Sequence, residues 1–103
     1  MEAVVITYES GLSFDEVERL FHDRSDAYRE MEGLVQKYYL HDPETGRVGG
    51  IYVFDTAEHR AALTDSDIHG SLRDAYDVQG DVEIDTYEVV LPLYDEVPTA
   101  SED

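Results

Sequence analysis

The chain of 103 residues contains no cysteine and no tryptophan, and lysine and arginine together number only seven. Without cysteine, a disulfide framework, a thiolate nucleophile and a thiolate metal site are all excluded. No apolar run approaches the roughly 20 residues that span a bilayer, and the first residues lack the basic segment of a signal peptide. These absences predict a soluble, cytoplasmic protein with no membrane partner.

The few basic residues stand against 25 acidic ones, which gives a formal net charge of -18. Binding to nucleic acid through its phosphates needs clustered lysine and arginine, so no nucleic-acid partner is expected. So many like charges repel one another in dilute buffer, and salt screens that repulsion. Lys37 is the only lysine, and acidic, lysine-poor surfaces are typical of halophiles that accumulate salt. We hypothesise a halophilic source; the alternative is an acidic mesophilic protein.

Hydrophobic periodicity predicts an alternating order of strands and helices. Ser13 and Glu16 form the S-x-x-E pattern of a helix start, and Pro43 and Gly46 indicate a turn between two strands. The predicted strands cover 3–9, 34–41, 47–54 and 82–91; the predicted helices cover 14–31 and a segment from 57 that is interrupted at 64–67 and resumes over 68–76. We expect one domain over 1–93 and an acidic tail over 94–103.

The order β-α-β-β-α-β is that of a ferredoxin-like α+β fold, an antiparallel sheet with both helices on one face. A sheet with one face in water should alternate apolar and polar residues. The runs at 3–6 (AVVI) and 51–54 (IYVF) do not alternate. Both faces of the sheet are therefore predicted to be buried, and a second copy of the chain is the simplest cover. We expect a homodimer in which two sheets pack face to face.

Alternation within the hairpin at 34–54 separates two sets of side chains, if Asp42 pairs with Arg47. One set combines aromatic rings with polar groups, as ligand pockets do: Lys37, Tyr39, His41, Tyr52 and Phe54. The other is more apolar and is expected to face the helices: Leu34, Tyr38, Leu40, Ile51 and Val53. The alternative is that the tyrosines simply fill a dimer core. Gly49 and Gly50 predict either a bulge or a close approach of another backbone.

His69 is the best single candidate for acid–base chemistry, because small shifts place a histidine pKa near neutrality. The alternative is a surface histidine bonded to an acidic side chain. Asp65, Asp67 and His69 alternate as in a calcium loop, but Tyr76 stands where that loop needs a glutamate. No metal site is predicted.

Three segments resemble the YdhR-type family of monooxygenase-like proteins, which are dimeric α/β barrels. The segments are 31–40 (MEGLVQKYYL), 44–54 (ETGRVGGIYVF) and 82–93 (VEIDTYEVVLPL), about two-thirds of the chain together with the helix that carries His69. Residues on the family pattern include Gly33, Lys37, Gly49, Gly50, Ile51, Tyr52, Phe54, Asp55, His69, Leu72, Pro92 and Leu93. Tyr39 stands where the family usually has tryptophan, and 64–67 resembles a short insertion.

The resemblance implies a cofactor-independent monooxygenase that acts on a small aromatic or quinol-type compound. Such a reaction needs a base and an apolar pocket in which the substrate anion meets O₂. His69 is the expected base, Tyr39, Tyr52 or Tyr87 would orient the substrate, and Lys37 and Phe54 complete the expected binding set. The alternative function is a non-catalytic homodimer that binds a small apolar metabolite or serves a structural role.

Overall fold

A computed structural model describes residues 1–94 of the chain. Its elements, in chain order, are β1 (Glu2–Ser10), α1 (Phe14–Arg29), β2 (Leu34–His41), β3 (Val48–Phe54), α2 (Ala57–Ala62), a 3₁₀ turn (Leu63–Asp65), α3 (Asp67–Gly70), α4 (Leu72–Ala75) and β4 (Val78–Glu88). The acidic tail predicted for 94–103 lies outside the described residues, apart from the exposed Tyr94. Within residues 1–94, no helix combines the length and the apolar character that crossing a membrane requires.

The four strands form one sheet in the order β2-β3-β1-β4. All three neighbouring pairs are antiparallel. This arrangement confirms the ferredoxin-like α+β fold predicted from the element order.

Helix α1 begins where the sequence predicts, because Ser13 caps it. The Ser13 hydroxyl accepts a hydrogen bond from the Glu16 backbone N–H at 3.3 Å and donates one to the Glu16 carboxylate at 3.1 Å. Asp15 and Glu16 add negative charge to the first turn, which the helix dipole favours. The helix ends at Arg29, two residues before the predicted end.

The core lies between the sheet and the helices. Side chains from β1, β3 and α1 alternate inward with the 3.6- and 2-residue periods of their elements. The buried apolar and aromatic residues are Val4, Ile6, Tyr8, Val17, Phe21, Tyr28, Val48, Tyr52, Phe54, Leu63, Leu72 and Tyr76. Four of these twelve are tyrosines, so this core contains more hydroxyl groups than an aliphatic one would.

Two predicted boundaries are wrong. The helical segment predicted over 68–76 is two single turns, α3 and α4, separated at Ser71. Strand β4 covers Val78–Glu88 and not 82–91. The strand begins before residue 82 because Gly80, with a φ of 73°, adopts a backbone conformation that glycine tolerates. This conformation lets β4 continue through the irregularity in its pairing with the segment Thr7–Glu9 of β1.

The Gly49–Gly50 pair permits a close approach of backbones, which is one of the two outcomes predicted for it. A Cβ atom on Gly49 would collide with the carbonyl oxygen of Ile6 on the neighbouring strand β1. Pairing runs without interruption through both glycines, so no bulge occurs there. The irregularity of the hairpin lies instead at Val35, between the pairs Leu34–Phe54 and Gln36–Val53.

The prediction of which hairpin face meets the helices is wrong. The Asp42 N–H donates to the Arg47 carbonyl oxygen at 2.8 Å, so the register is the expected one. However, the set with Lys37, Tyr39 and Tyr52 faces α1, and the set with Tyr38, Ile51 and Val53 lies on the open face of the sheet. Hydropathy misleads here because the Lys37 amine is buried against tyrosine rings, which attract a cation through their faces. Leu34 is the exception in the second set: the irregularity at Val35 places it opposite Phe54, on the helix face as predicted.

Candidate functional site

The register of β2 and β3 brings three predicted site residues together. Lys37 pairs with Tyr52, and Tyr39 pairs with Gly50, so Lys37, Tyr39 and Tyr52 project from the same face of the sheet. Gly50 has no side chain, which leaves room there for the alkyl chain of Lys37: a Cβ on Gly50 would lie 3.3 Å from its Cε. Helix α1 crosses this face and adds Tyr28. We call these four residues, Tyr28, Lys37, Tyr39 and Tyr52, the lysine–tyrosine cluster.

The Lys37 ammonium group lies within reach of all three rings of the cluster. Its Nζ is 3.2 Å from the ring centroid of Tyr28, 4.2 Å from that of Tyr39 and 4.5 Å from that of Tyr52. The Tyr28 and Tyr52 rings also contact each other, with centroids 5.6 Å apart. Among residues 1–94, no carboxylate forms an ion pair with Lys37.

Burial controls the charge of this amine. Burial and, to a lesser extent, the neighbouring Arg24 guanidinium together lower the pKa of Lys37 from 10.5 to about 7. A change of that size corresponds to roughly 5 kcal/mol. Of the two causes, burial is the larger, and the amine exchanges its proton near neutral pH.

The hydroxyl group of Tyr39 is buried and makes no hydrogen bond within the described residues. A buried hydroxyl without a hydrogen-bond partner lowers the stability of the fold by about 1–3 kcal/mol. A ligand oxygen placed beside Tyr39 would accept a hydrogen bond from this hydroxyl. Burial raises the pKa of Tyr39. Burial and the neighbouring Tyr28 also raise the pKa of Tyr52. Both phenols are therefore protonated at neutral pH.

A cavity of about 210 Å³ opens beside the cluster, between α1 and β2. Three residues of the cluster line it, Tyr28, Lys37 and Tyr39. The other lining residues come from the last turns of α1 and the start of β2: Ser25, Arg29, Leu34, Val35 and Gln36. Pockets for drug-sized ligands are larger, about 300–1,000 Å³, so this one suits a single ring. Two basic side chains line it in a chain with a net charge of -18.

The structure does not bring all predicted site residues together. Phe54 lies on the same sheet face as the cluster and is completely buried. Tyr87 pairs with Ala3 on β1, lies on the open face and is 58% exposed. His69 lines a separate depression between α3, α4 and β4, with Leu72, Asp81 and Ile84 among its neighbours. Burial lowers the pKa of His69, so this imidazole is neutral at pH 7.

Sequence reasoning missed Tyr28 and Arg24 as site residues. Both lie on the apolar stripe of α1. For Arg24, the sequence signal was a charged residue at a position where the helical period predicts an apolar one. Arg24 donates to the Ile68 carbonyl oxygen at 2.8 Å and to the Ser71 hydroxyl at 3.2 Å. Its guanidinium also lies 5.4 Å from the Tyr76 ring centroid. It thus ties α1 to the irregular segment that carries His69.

The antiparallel sheet and the helical layer packed on one of its faces define a ferredoxin-like α+β protein. The family model described as "Putative mono-oxygenase ydhR" matches residues 5–95 of the chain. This match spans most of the sequence, so the chain belongs to that family. No curated protein is detectably similar to it in sequence.

Solved structures share the fold at low sequence identity. A "putative antibiotic biosynthesis monooxygenase" from Deinococcus radiodurans is 15% identical, with 91% of this chain and 97% of that chain covered and a TM-score of 0.70. A variant of SnoaB, a cofactor-independent oxygenase from Streptomyces nogalater, is 14% identical over 89% of this chain and 95% of that one, also with a TM-score of 0.70. A variant of MhuD, with two manganese protoporphyrin IX molecules per active site, is 15% identical over 91% and 99%, with a TM-score of 0.70. These similarities establish a common fold.

Proposed function

We propose that this protein is a cofactor-independent monooxygenase acting on a small aromatic or quinol-type compound. Membership of the mono-oxygenase family supports the reaction class, and the name of the structural neighbour SnoaB supports independence from a cofactor. The observation that carries the proposal is the Lys37 amine, which lies among three tyrosine rings beside a cavity of single-ring size.

The cluster supplies what such a reaction needs. The neutral Lys37 amine accepts the proton of a phenol, and the Tyr39 hydroxyl donates to the oxygen that remains. The electron-rich anion reacts with O₂ at a ring carbon, and the resulting peroxide loses water to leave a quinone. Overall, a phenol and O₂ give a quinone and water: one oxygen atom enters the product and the other leaves as water. A proton acceptor of this kind contributes about 10²–10⁴-fold to the rate.

Oxygen uptake with a panel of single-ring phenols and quinols in molar KCl tests the reaction class. Wild type, Lys37→Met and His69→Ala are compared with the best substrate. Methionine keeps an unbranched chain of similar volume, so it preserves packing while removing the amine. We expect Lys37→Met to lower turnover at least about 100-fold and His69→Ala to change it little. The wild-type rate should rise with pH through about 7, because the neutral amine is the active form.

Two other results would contradict the proposal. If His69→Ala loses turnover and Lys37→Met does not, His69 is the base, as the sequence alone predicted, and the site is the depression beside β4. If no compound of the panel supports oxygen uptake, the non-catalytic binding or structural function is favoured.

We also propose that the protein is a homodimer and that the open face of the sheet is its interface. Ala3, Val5, Ile51 and Val53 give this face an apolar centre, and Tyr38 and Tyr87 lie on it with 47% and 58% of their surface exposed. Asp85 on β4 pairs with Val5 and borders this apolar centre. Large exposed apolar patches are uncommon on soluble monomers. On this proposal, the cavity between α1 and β2 stays on the outside of each subunit. A cytoplasmic location and a halophilic source are proposals of the same standing, and they rest on the acidic composition.

A further inference from the structure

The single lysine of the chain combines three features that carbonyl chemistry requires. The amine lies against tyrosine rings, and the lysine side chain lines a cavity that can hold a single-ring compound. Among the described residues, no acidic side chain forms an ion pair with this amine. We propose that Lys37 forms an imine with a small aromatic aldehyde or ketone bound in the cavity between α1 and β2. This inference goes beyond the oxygenase proposal and does not depend on it.

The groups around the amine favour its neutral form and the binding of a carbonyl oxygen. On α1, the Arg24 guanidinium is a positive charge that disfavours a second one on Lys37, and Arg29 lines the same cavity. Arg29 is itself paired with Asp26 at 2.5 Å on the exposed side of the helix. Three phenol rings lie against the amine, those of Tyr28 on α1, Tyr39 on β2 and Tyr52 on β3, and burial raises the pKa of Tyr39 and Tyr52, which keeps these two phenols protonated at neutral pH.

The chemistry needs only groups that are present. The Nζ lone pair attacks the carbonyl carbon, and a proton moves from the nitrogen to the former carbonyl oxygen. The Tyr39 hydroxyl, which has no partner among the described residues, supplies the proton that helps this oxygen depart as water, and it recovers a proton from the nitrogen. A C=N bond replaces the C=O bond, one water molecule is released, and no atom changes its overall oxidation level.

A reductive trapping experiment tests the proposal, because only one lysine has to be followed. The folded protein, in molar KCl, is incubated with 4-hydroxybenzaldehyde and sodium cyanoborohydride, which converts an imine into a stable secondary amine. The matched comparison is Arg19→Lys, which introduces an ordinary amine at an exposed position of α1. Peptide mass mapping then measures the labelling of both amines in the same molecule, and Lys37→Met identifies any label on the N-terminal amine.

At pH 7, we expect Lys37 to be labelled at least about tenfold faster than the amine introduced by Arg19→Lys, because an ordinary lysine has a pKa near 10.4 and is almost entirely protonated. The labelling rate of Lys37 should level off above about pH 7, whereas that of the exposed amine should continue to rise towards pH 10. Equal or slower labelling of Lys37 at pH 7 would overturn the proposal. Imine formation consumes no oxygen, so this failure is separate from a failure of the oxygen-uptake test.

Discussion

The buried amine of Lys37 makes the stability of the fold depend on pH. Its pKa is about 7 in the folded protein and 10.5 when unperturbed. Between these values the unfolded chain holds a proton that the folded chain has released, so stability rises with pH. From pH 7 to 9 we expect a gain of about 2 kcal/mol in the free energy of unfolding, measured by urea denaturation.

The variant Lys37→Met isolates this effect. It has no amine to titrate, so its stability should change by less than half as much between pH 7 and 9. The ionisation of His59 also affects the free energy of unfolding near the lower end of this pH range. Its pKa is raised by Asp55 and Glu32, and its contribution is lost as pH rises through that raised value. Both proteins contain His59, so parallel curves for the two would show that Lys37 is not buried as described.

Removal of the Tyr39 hydroxyl distinguishes a role of this side chain in binding from a role in packing. If this hydroxyl bonds to the substrate, Tyr39→Phe should lower kcat/KM by about tenfold, since one hydrogen bond contributes about 1–1.5 kcal/mol. Stability should stay equal or increase, because the change removes a buried hydroxyl without a partner. Tyr52→Phe is the matched control, since it also keeps a buried ring but removes a hydroxyl beside Tyr28. Unchanged kinetics in Tyr39→Phe, with a verified substrate, would assign this side chain to the core alone.

At the element scale, β1 and β3 pack so closely at Gly49 that no larger residue fits. Gly49→Ala should lower the free energy of unfolding by at least about 2 kcal/mol, because the added methyl group meets the Ile6 backbone. Gly70→Ala is the control: the new methyl group would meet nothing within 4 Å, and alanine in helix α3 should stabilise by up to about 1 kcal/mol. Thermal melts of the two variants check this, and similar midpoints would contradict the close approach.

The elements that the sequence predicts well are those with strong local signals. The Ser13 cap and the 3.6-residue period place the start of α1, and the turn at 42–47 sets the register of the hairpin. Helix α3 has a local cap, because the Ser66 hydroxyl accepts a hydrogen bond from the His69 N–H at 3.3 Å, but α4 has no side-chain cap. Tertiary contacts from Arg24 to Ile68 and Ser71 hold this segment. Local periodicity therefore could not predict the break at Ser71.

The candidate site was predictable in part for the same reason. Strand alternation places Lys37, Tyr39 and Tyr52 on one face, and this grouping is correct. Which face meets the helices depends on how α1 packs, and Tyr28 reaches the cluster only through that packing. Tyr87 lies on the opposite face because of the register between β1 and β4, which are far apart in the sequence. Long-range pairing of this kind leaves no trace in a local pattern.

At the scale of the whole molecule, the net charge of -18 predicts a dependence on salt. The Debye length falls from about 10 Å at 0.1 M salt to about 3 Å at 1 M, so repulsion among the carboxylates is largely screened at molar concentration. If the source is halophilic, the melting temperature should rise steadily from 0.1 M to 2 M KCl. An unchanged or falling melting temperature in differential scanning calorimetry would contradict a halophilic adaptation.

The open face of the sheet predicts the state of assembly. If a second copy covers it, light scattering in molar KCl should give about twice the chain mass of 11.7 kDa. Ile51 lies near the middle of this face, paired with Val5 on β1 and Tyr38 on β2. Ile51→Glu would place a carboxylate in the interface, where an unpaired buried charge is costly, so this variant should be monomeric. Ala61→Glu adds the same charge at an exposed position of α2 and should remain dimeric. A wild-type monomer, or a dimer in both variants, would mean that this face is not the interface.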